Sequence, residues 1–259
     1  MVNMVGLIPA RDGSKRLPGK NRKLLAGHPL IAYTIRAAID SGVFSEVLVC
    51  SENAAIMDIA LHYGAHVSFP RPMPYAADDS PDIEWLSWLF ATGQISESVD
   101  SFAILRPTSP FRTKDTIRRA FQEFSAHAHE CDSIRAVEPA RQHPFKMWLL
   151  DWICAPLLHP VAAFLENADC VDTTTDRDHV FSRPTQTLLK VYVQNASLEM
   201  AHARVVTQMH SISGDNVLPF FTTDYEGFDI NTIEDWLLGE TLIDEGMATL
   251  PGINSDGNS

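Results

Sequence analysis

Short apolar runs and amphipathic segments alternate along the first half of the chain. The apolar runs predict four buried strands, at residues 4–9, 46–50, 66–69 and 101–105. Each run is followed by apolar residues at helical spacing, which predict helices at residues 29–42, 53–63, 81–90 and 113–126. Asn53 is a favourable N-cap for the second helix. Further along, residues 191–206 read as a strand, and a capping-box pattern at Thr232 predicts another helix.

Four repeats of strand, loop and helix are typical of a parallel sheet that is covered by helices on both faces. We therefore predict an α/β fold with a Rossmann-like, mostly parallel sheet in a three-layer arrangement. Such sheets bind ligands beyond the carboxyl ends of their strands. The loop after the first strand, residues 10–23, lies at that edge and is the first candidate for a binding site.

The regular pattern stops at residues 136–190. This segment is rich in Pro, His and Trp, then becomes polar, and shows no clear helical spacing. We interpret it as an inserted arm or lid at a subunit interface, within a single domain of residues 1–245. Residues 246–259 end in the polar sequence PGINSDGNS and are predicted to form a flexible tail.

Composition narrows the range of partners. Hydrophobic residues make up 45% of the 259 positions, which is enough for a core, and no run of 18 apolar residues predicts a membrane span. The N-terminus lacks a signal-peptide pattern, and Cys50, Cys131, Cys154 and Cys170 form neither a CxxC pair nor a zinc spacing. These features predict a cytoplasmic protein with reduced thiols. The formal net charge of −13 disfavours nucleic acid and anionic membranes as partners.

The loop after the first strand is an exception to this acidic composition. It contains the stretch IPARDGSKRLPGKN, residues 8–21, and together with the next residue it holds five cations. A loop with glycines between a strand and a helix can turn its backbone N–H groups toward an anion. Five residues separate Gly13 from Gly19, and Asn21 follows Lys20, so the loop is not a Walker A motif. The pattern favours a triphosphate site, and the alternative is a solvated basic turn.

The same stretch resembles the nucleotide-binding signature of the acylneuraminate cytidylyltransferases. Two later stretches agree with that family in order and spacing: LRPTSPFR at 105–112 and GFDIN at 227–231. In addition, Gln194-Asn195-Ala196 is similar to the family's strand before the second of these stretches. The resemblance covers residues 4–240 and implies a nucleotidyltransferase sheet and a homodimer with its interface at the arm. The implied reaction joins CTP and a nine-carbon keto-sugar acid into a CMP-sugar and pyrophosphate. The implied cofactor is Mg²⁺, with Mn²⁺ as a substitute.

The resemblance also implies roles for individual residues. The catalytic residues would be Arg11, Lys20 and Asp229, and the metal ligands would be Asp229 and Asn231. The nucleotide-binding residues would be Leu7, Pro9, Ala10, Arg11, Gly13, Ser14, Lys15, Lys20, Asn21, Arg71 and Ser80. The residues that bind the sugar acid would be Arg106, Thr108, Ser109, Lys146, Arg183, Gln186, Gln194 and Asn195. Two alternatives stay open: Arg71 as a turn residue between prolines, and Asp229 with Asn231 as a helix cap.

Three residues depart from the family pattern. Asp12 stands where the family has glycine, so its carboxylate must point away from a triphosphate or help to hold the metal. Arg106 replaces a glutamine that contacts the sugar, and it could bind the substrate carboxylate or hold Asp229. Asn231 replaces the second aspartate of the metal motif, and its carbonyl oxygen can still bind Mg²⁺.

These departures predict an acceptor other than N-acetylneuraminic acid. The combined motifs are closer to the branch of the family that acts on bacterial nonulosonic acids such as legionaminic acid. Two alternatives remain at this point. The first is a cytidylyltransferase for an eight-carbon sugar acid or a phosphonate, and the second is a CTP-binding protein without turnover.

Overall fold

The structure, a computed structural model, describes residues 2–151, 157–161 and 181–253. The chain divides into two compact units, Met1–Val137 with Gln194–Ser259, and Glu138–Val193. Residues 152–156 and 162–180 of the predicted arm, and residues 254–259 of the predicted tail, lie outside the described residues. The first unit contains the predicted sheet and the basic loop.

The described residues form eleven strands and six α-helices. The strands are β1 (Met4–Pro9), β2 (Leu24–Leu25), β3 (His28–Pro29), β4 (Glu46–Cys50), β5 (His66–Val67), β6 (Ser101–Ile104), β7 (Ser133–Pro139), β8 (Trp148–Asp151), β9 (Leu157–Pro160), β10 (Tyr192–His202) and β11 (Val217–Phe221). The helices are α1 (Leu30–Ser41), α2 (Ala54–His62), α3 (Asp82–Ala91), α4 (Lys114–Ala126), α5 (Ala203–Thr207) and α6 (Ile233–Asp244). Single 3₁₀ turns include Lys20–Arg22 and Met73–Ala76.

Seven strands form one sheet, in the order β11-β7-β10-β6-β1-β4-β5. The pairs β1–β4, β1–β6, β4–β5 and β7–β11 are parallel, and β10 runs antiparallel to β6. In the middle of the sheet, Leu7 pairs with Leu48 on one side and with Ile104 on the other. The prediction of a mostly parallel α/β sheet is confirmed.

Alternate residues of β1 enter two different cores. Met4 and Ile8 join a core formed with α1, α2 and α4, whereas Val5 and Leu7 join a core formed with α3 and α5. This arrangement explains why β1 is a continuous apolar run, because both of its faces are covered. The helices therefore form two layers with the sheet between them, as the sequence predicted.

Several boundaries and elements differ from the prediction. The strand predicted at 66–69 contains only His66–Val67, and the strand predicted at 191–206 ends at His202, where α5 begins. Two strands of the sheet, β7 and β11, were not predicted. Strand β7 contains arginine and glutamate between its apolar residues, and β11 contains a proline, so neither has the apolar run of a buried parallel strand.

The late helix α6 is fixed at its start by the predicted capping box. Thr232 Oγ1 accepts a hydrogen bond from the Asp235 N–H, and Asp235 Oδ2 accepts one from the Thr232 N–H (3.3 and 2.8 Å). Trp236, one turn later, is buried in a third core that includes Leu17 of the basic loop. Leu250 and Ile253, from the predicted tail, pack against this same core. The basic loop is thus anchored to a segment more than two hundred positions away in sequence.

Two expectations from composition can be compared with the structure. Cys50 and Cys131 are free, buried thiols, and Cys154 and Cys170 lie outside the described residues. Burial raises the pKa of the Cys50 thiol to about 11, so it stays protonated at neutral pH. Within the described residues, no helix has both the length and the apolar character that a bilayer span requires.

The turn before β11 provides a test of backbone constraint. Gly214 has φ +68°, and a Cβ there would lie 2.5 Å from Asp132 Cβ, inside van der Waals contact. We expect Gly214→Ala to lower the free energy of unfolding by about 2–4 kcal/mol, from left-handed backbone strain plus overpacking. Gly93 is the matched control, because it has φ +68° and no neighbouring atom within 4 Å. Gly93→Ala should cost only about 1–2 kcal/mol. Urea unfolding followed by tryptophan fluorescence measures both, and equal losses would contradict the steric argument.

Candidate active site

A cavity of about 520 Å³ lies beyond the carboxyl ends of β1 and β6, where this class of sheet binds ligands. All of its lining residues belong to the first unit. They are Pro9, Arg11, Ser14, Lys15, Arg16, Lys20, Asn21, Arg71, Ala77, Asp78, Ser80, Asp82, Arg106, Pro107, Thr108, Ala196, Asp229 and Asn231. Six of these side chains are cationic and three are acidic, so the cavity is positively charged in an acidic chain. This local charge suits an anionic ligand.

Arg11 and Lys15, at the start of the basic loop, share one acidic partner. The Asp78 carboxylate lies 2.8 Å from Arg11 Nη1 and 2.6 Å from Lys15 Nζ. Arg11 Nη1 also donates to the Ala77 carbonyl oxygen, at 2.9 Å. The hydrogen bond to Asp78 raises the pKa of Lys15, and the pKa of Asp78 is lowered in turn. Both cations are therefore held at the rim of the cavity by a residue that the sequence analysis did not select.

Lys20 occupies an unusual position for a lysine, because its side chain is buried. Gly19, with φ +66°, leads the chain into the 3₁₀ turn Lys20–Arg22, which directs Lys20 inward. Its Nζ donates to the Ile230 carbonyl oxygen (2.8 Å) and to Asn231 Oδ1 (3.3 Å). Burial lowers the pKa of Lys20 to about 8, against the opposing effect of the nearby Asp229 carboxylate. An amine that is mostly protonated at neutral pH is thus held at the floor of the cavity.

Asn21, next in the turn, connects the two ends of the loop. Its Nδ2 donates to the Arg11 carbonyl oxygen at 2.9 Å. Its Oδ1 is buried and has no hydrogen-bond partner among the described residues. An unpaired buried acceptor beside a cavity is suited to receive a donor from a ligand.

Asp229 and Asn231 lie together on the same side of the cavity. Asn231 Nδ2 donates to Asp229 Oδ2, while Asp229 Oδ1 is buried without a partner in the described part of the chain. Neither side chain caps α6, because Thr232 and Asp235 form that cap. A carboxylate oxygen and an amide oxygen are hard ligands of the kind that Mg²⁺ and Ca²⁺ prefer. The described residues hold no group of three or more His, Cys, Asp or Glu side chains suited to a metal, so further ligands would come from phosphate oxygens or water.

Arg106 forms ion pairs with two acidic residues of the chain. Its Nη2 lies 2.7 Å from Asp82 Oδ2 and 2.9 Å from Glu199 Oε1, and Arg135 Nη2 lies 3.2 Å from the other Glu199 oxygen. Although burial works in the opposite direction, Arg106 lowers the pKa of Asp82. Of the two roles considered for Arg106, holding Asp229 is not what the structure shows: the residue it holds in the cavity wall is Asp82.

Arg71 is a buried cation as well as a turn residue. Its guanidinium lies 5.3 Å from the Trp85 ring centroid, and its backbone N–H donates to the Ser51 carbonyl oxygen at 2.9 Å. Burial lowers the pKa of its guanidinium. Arg71 lines the cavity, and its predicted contact with a nucleotide stays a prediction.

The turn after β6 is shaped by Arg112, whose side chain is completely buried. Its guanidinium donates to Thr34 Oγ1 at 2.9 Å, to the Arg106 carbonyl oxygen at 3.2 Å and to the Ser197 carbonyl oxygen. Thr108, in the same turn, accepts a hydrogen bond from the Ile230 N–H through its carbonyl oxygen, at 2.8 Å. The stretch LRPTSPFR therefore braces the cavity wall and joins it to the segment that carries Asp229.

Twelve of the predicted site residues line this cavity together. They are Pro9, Arg11, Ser14, Lys15, Lys20, Asn21, Arg71, Ser80, Arg106, Thr108, Asp229 and Asn231. The lining residues that the prediction did not include are Arg16, Ala77, Asp78, Asp82, Pro107 and Ala196. Arg16 could have been selected from its place among the loop cations. Asp78 and Asp82 gave no such signal, because aspartates near serine and proline are ordinary in surface turns.

The remaining predicted residues have other positions. Leu7 and Ala10 are buried in the cores beside the sheet, and Gly13 is exposed on the loop. Ser109 is buried, and Asn195 Nδ2 donates to Thr222 Oγ1 at 2.8 Å. Gln194 is exposed where β10 enters the first unit.

Three predicted sugar-binding residues, Lys146, Arg183 and Gln186, belong to the second unit. There, Lys146 Nζ donates to the Phe181 carbonyl oxygen at 2.7 Å and to the Arg183 carbonyl oxygen. Gln186 lies in the 3₁₀ turn Thr185–Thr187, which is exposed. Their predicted contact with the sugar acid stays a prediction.

The sequence is also similar to proteins of known function. The family described as Cytidylyltransferase matches residues 5–80. The chain is 32% identical over 252 residues to the CMP-N,N'-diacetyllegionaminic acid synthase of Legionella pneumophila, covering 96% of this chain and 100% of the relative. It is 37% identical over 122 residues to the pseudaminic acid cytidylyltransferase of Campylobacter jejuni, over 46% of this chain and 51% of that one.

A solved structure supports the fold. The CMP:2-keto-3-deoxy-manno-octonic acid synthetase, solved in complex with CTP, superimposes with a TM-score of 0.63 at 14% identity, covering 94% of this chain and 99% of that one. At this identity the likeness concerns the fold alone. The full-length match to the Legionella relative shows more: this chain belongs to the cytidylyltransferase family.

Proposed function

We propose that this nucleotidyltransferase transfers CMP from CTP to the anomeric hydroxyl of a sialic-acid-like nonulosonic acid and releases pyrophosphate. One observation carries the proposal: the basic loop, the turn after β6 and the Asp229 segment converge on a single cationic cavity. The cavity volume of about 520 Å³ lies within the range of small-molecule sites. The 32% identical relative, matched over its entire length, is named for this type of reaction.

The proposed reaction requires positioning and charge neutralisation more than covalent chemistry. The acceptor oxygen forms a bond to the α-phosphorus, the bond from that phosphorus to the bridging oxygen of the β-phosphate breaks, and the hydroxyl proton passes to solvent water. Arg11, Lys15 and Arg16, with the loop N–H groups, would bind the triphosphate oxygens. Lys20, on the floor of the cavity, would stabilise the negative charge that develops on pyrophosphate.

Asp229 and Asn231 would hold the divalent cation, for which we propose Mg²⁺ with Mn²⁺ as a substitute. The unpaired, buried Asp229 Oδ1 and the hard oxygen donor set support this assignment. A bound Mg²⁺ would neutralise phosphate charge and orient the triphosphate. Because Asn231 is neutral, this pair carries one negative charge rather than two. Lys20 Nζ donates to Asn231 Oδ1, the same amide oxygen that would bind the cation, so metal binding would require this hydrogen bond to be shared or given up.

The acceptor is proposed to be legionaminic acid or a close relative. The support is the length of the match to the Legionella synthase, which covers 96% of this chain and 100% of the relative. Arg106 is already paired with Asp82 and Glu199, so this wall of the cavity offers a fixed carboxylate as well as a cation. Hydrogen-bond donors on the acceptor, such as hydroxyl or acylamino N–H groups, suit that carboxylate. The reaction uses CTP, so we place the protein in the cytoplasm.

We also propose a homodimer with its interface in the arm. The second unit exposes several large apolar side chains, each more than two-fifths accessible: Met147, Trp148, Leu149, Leu150, Leu189, Tyr192 and Val193. Clusters of exposed apolar residues of this kind often mark association surfaces.

The proposed reaction is tested by measuring pyrophosphate release with CTP, Mg²⁺ and a panel of acceptors. The panel contains N,N'-diacetyllegionaminic, pseudaminic and N-acetylneuraminic acids, together with the eight-carbon 2-keto-3-deoxy-manno-octonic acid. We expect the highest kcat/KM with legionaminic acid, because the match to the relative named for it covers that protein completely. Preference for the eight-carbon acid would favour the alternative acceptor class. Tight CTP binding without release from any acceptor would favour the binding-only alternative.

The metal assignment is tested by Asp229→Asn. Replacing the carboxylate removes the only charged ligand of the pair, so half-maximal activity should require roughly 10- to 100-fold more Mg²⁺. The free energy of unfolding should change little, because Asp229 takes no part in capping α6. Asp235→Asn is the contrasting variant, and it should cost about 1 kcal/mol through the capping box. A result in which Asp229→Asn destabilises the fold but leaves the Mg²⁺ requirement unchanged would reject the assignment.

Light scattering tests the oligomeric state. A dimer predicts a mass near twice the chain mass of 28.8 kDa. Leu149→Asp, placed on the exposed apolar surface of the second unit, should shift the population toward single chains because a charge at an apolar interface is costly. A wild-type protein that stays at the mass of one chain at all concentrations would refute the proposal.

A further inference from the structure

Asp12 lies on the basic loop but takes no part in lining the cavity. Its carboxylate accepts two hydrogen bonds from Arg22, one from Nε to Oδ1 and one from Nη2 to Oδ2, both at 3.1 Å. Such a two-point pair between a guanidinium and a carboxylate fixes orientation as well as distance. Because Asp12 lies near the start of the loop and Arg22 near its end, the pair joins the two ends of the loop.

The same carboxylate also joins the loop to helix α2. Asn53 Nδ2 donates to Asp12 Oδ2 at 2.9 Å, while Asn53 Oδ1 accepts from the Ile56 N–H and caps the helix. The Asp12 backbone N–H donates to Glu52 Oε1 at 2.7 Å. The carboxylate therefore lies near the N-terminus of α2, where the helix dipole favours negative charge. Two contacts fasten the start of the loop to residues 52–53.

Lys20 is connected to this closure through the backbone. Lys20 and Arg22 belong to one 3₁₀ turn, in which the Arg22 N–H donates to the Gly19 carbonyl oxygen at 2.9 Å. A displacement of the Arg22 backbone would move that turn, and with it the Lys20 side chain that reaches the Ile230 carbonyl oxygen. The Asp12 carboxylate is thus linked, through Arg22 and the turn, to a cavity residue that it does not touch.

We propose that Asp12 is a positioning residue: it clamps both ends of the basic loop to each other and to the start of α2, and so holds Lys20 in the cavity. The kinetic part of this proposal rests on the proposed function. The structural part does not, because it concerns the accessibility of one amine. Asp12 is 26% exposed and Arg22 41% exposed, so a simple surface ion pair is the competing interpretation. The Asp12 carboxylate accepts from two Arg22 nitrogens and from Asn53 Nδ2, and these three donors favour the clamp over a simple surface ion pair.

The test uses Asp12→Asn, which keeps the shape of the side chain and places an amide N–H group among the donors. Lysine acylation at fixed pH, followed by peptide mass spectrometry, measures the labelling rate of Lys20 relative to Lys15. In the wild-type protein Lys20 is 8% exposed and the Lys15 side chain 84% exposed, so Lys15 serves as an internal reference. We expect the relative labelling rate of Lys20 to rise roughly 5- to 30-fold, as for the loss of a charge-assisted contact.

A second variant changes the contact between Asp12 and the start of α2. Asn53→Asp keeps a good N-cap for α2 but opposes the Asp12 carboxylate with a second one. It should increase Lys20 labelling in the same way while α2 stays formed. Asp40→Asn is the matched control, because it breaks a surface ion pair with Arg36 of 2.6 Å, in α1 and away from the loop. That variant should label like the wild type.

Kinetics complete the test. If Asp12 positions Lys20, Asp12→Asn should lower kcat more than it raises KM for CTP, since the proposed role of Lys20 is exercised when pyrophosphate leaves. Unchanged Lys20 labelling in both Asp12→Asn and Asn53→Asp would overturn the clamp, whatever the kinetics show. Labelling that also rises in Asp40→Asn would overturn it as well, since the effect would then be unspecific. If no acceptor supports turnover, labelling alone decides, so failure of the proposed function and failure of the clamp are separate results.

Discussion

The hydrogen bond from Lys20 to the Ile230 carbonyl oxygen is the constraint on which the site depends. Placing an ammonium group in the interior is unfavourable unless it finds acceptors, and burial lowers the pKa of Lys20 accordingly. The acceptors come from residues 230 and 231, near the other end of the chain. Ile230 is in turn held by the Thr108 carbonyl oxygen. A single buried cation therefore requires three separate segments to meet at one edge of the sheet.

Partners within the fold explain how four of the six cavity cations can lie close together before a ligand arrives. Arg11 and Lys15 share Asp78, Arg106 is balanced by Asp82 and Glu199, and Lys20 is satisfied by oxygen acceptors. These internal partners hold the cations in fixed directions and offset their mutual repulsion. A polyphosphate that enters the cavity meets preorganised donors, which reduces the reorganisation that binding would otherwise require. The acidic residues are thus part of the anion site, although their charge alone suggests the opposite.

The features that were predictable from sequence are those encoded locally. The apolar run of β1, the Asn53 cap and the Thr232 capping box each depend on residues a few positions apart, and each was confirmed. The partners of Asp12, Arg106 and Lys20 were not predictable, because they come from 10, 93 and 210 positions away. Strand β11 contains a proline, and its place at the sheet edge follows from its parallel pairing with β7 rather than from its own pattern.

The three departures from the family pattern illustrate why a single position is hard to interpret in isolation. A carboxylate at position 12 is unfavourable beside a triphosphate, but here it is turned toward Arg22 and Asn53. An arginine at position 106 adds charge to the cavity, but Asp82 and Glu199 balance it. In both cases the substituted charge is matched by a partner within the fold, so the field that a ligand meets changes less than the sequence implies. Asn231 differs from these two. Its neutral side chain contacts both Asp229 and Lys20. The proposed metal site therefore has one negative charge fewer than a site with aspartate at position 231.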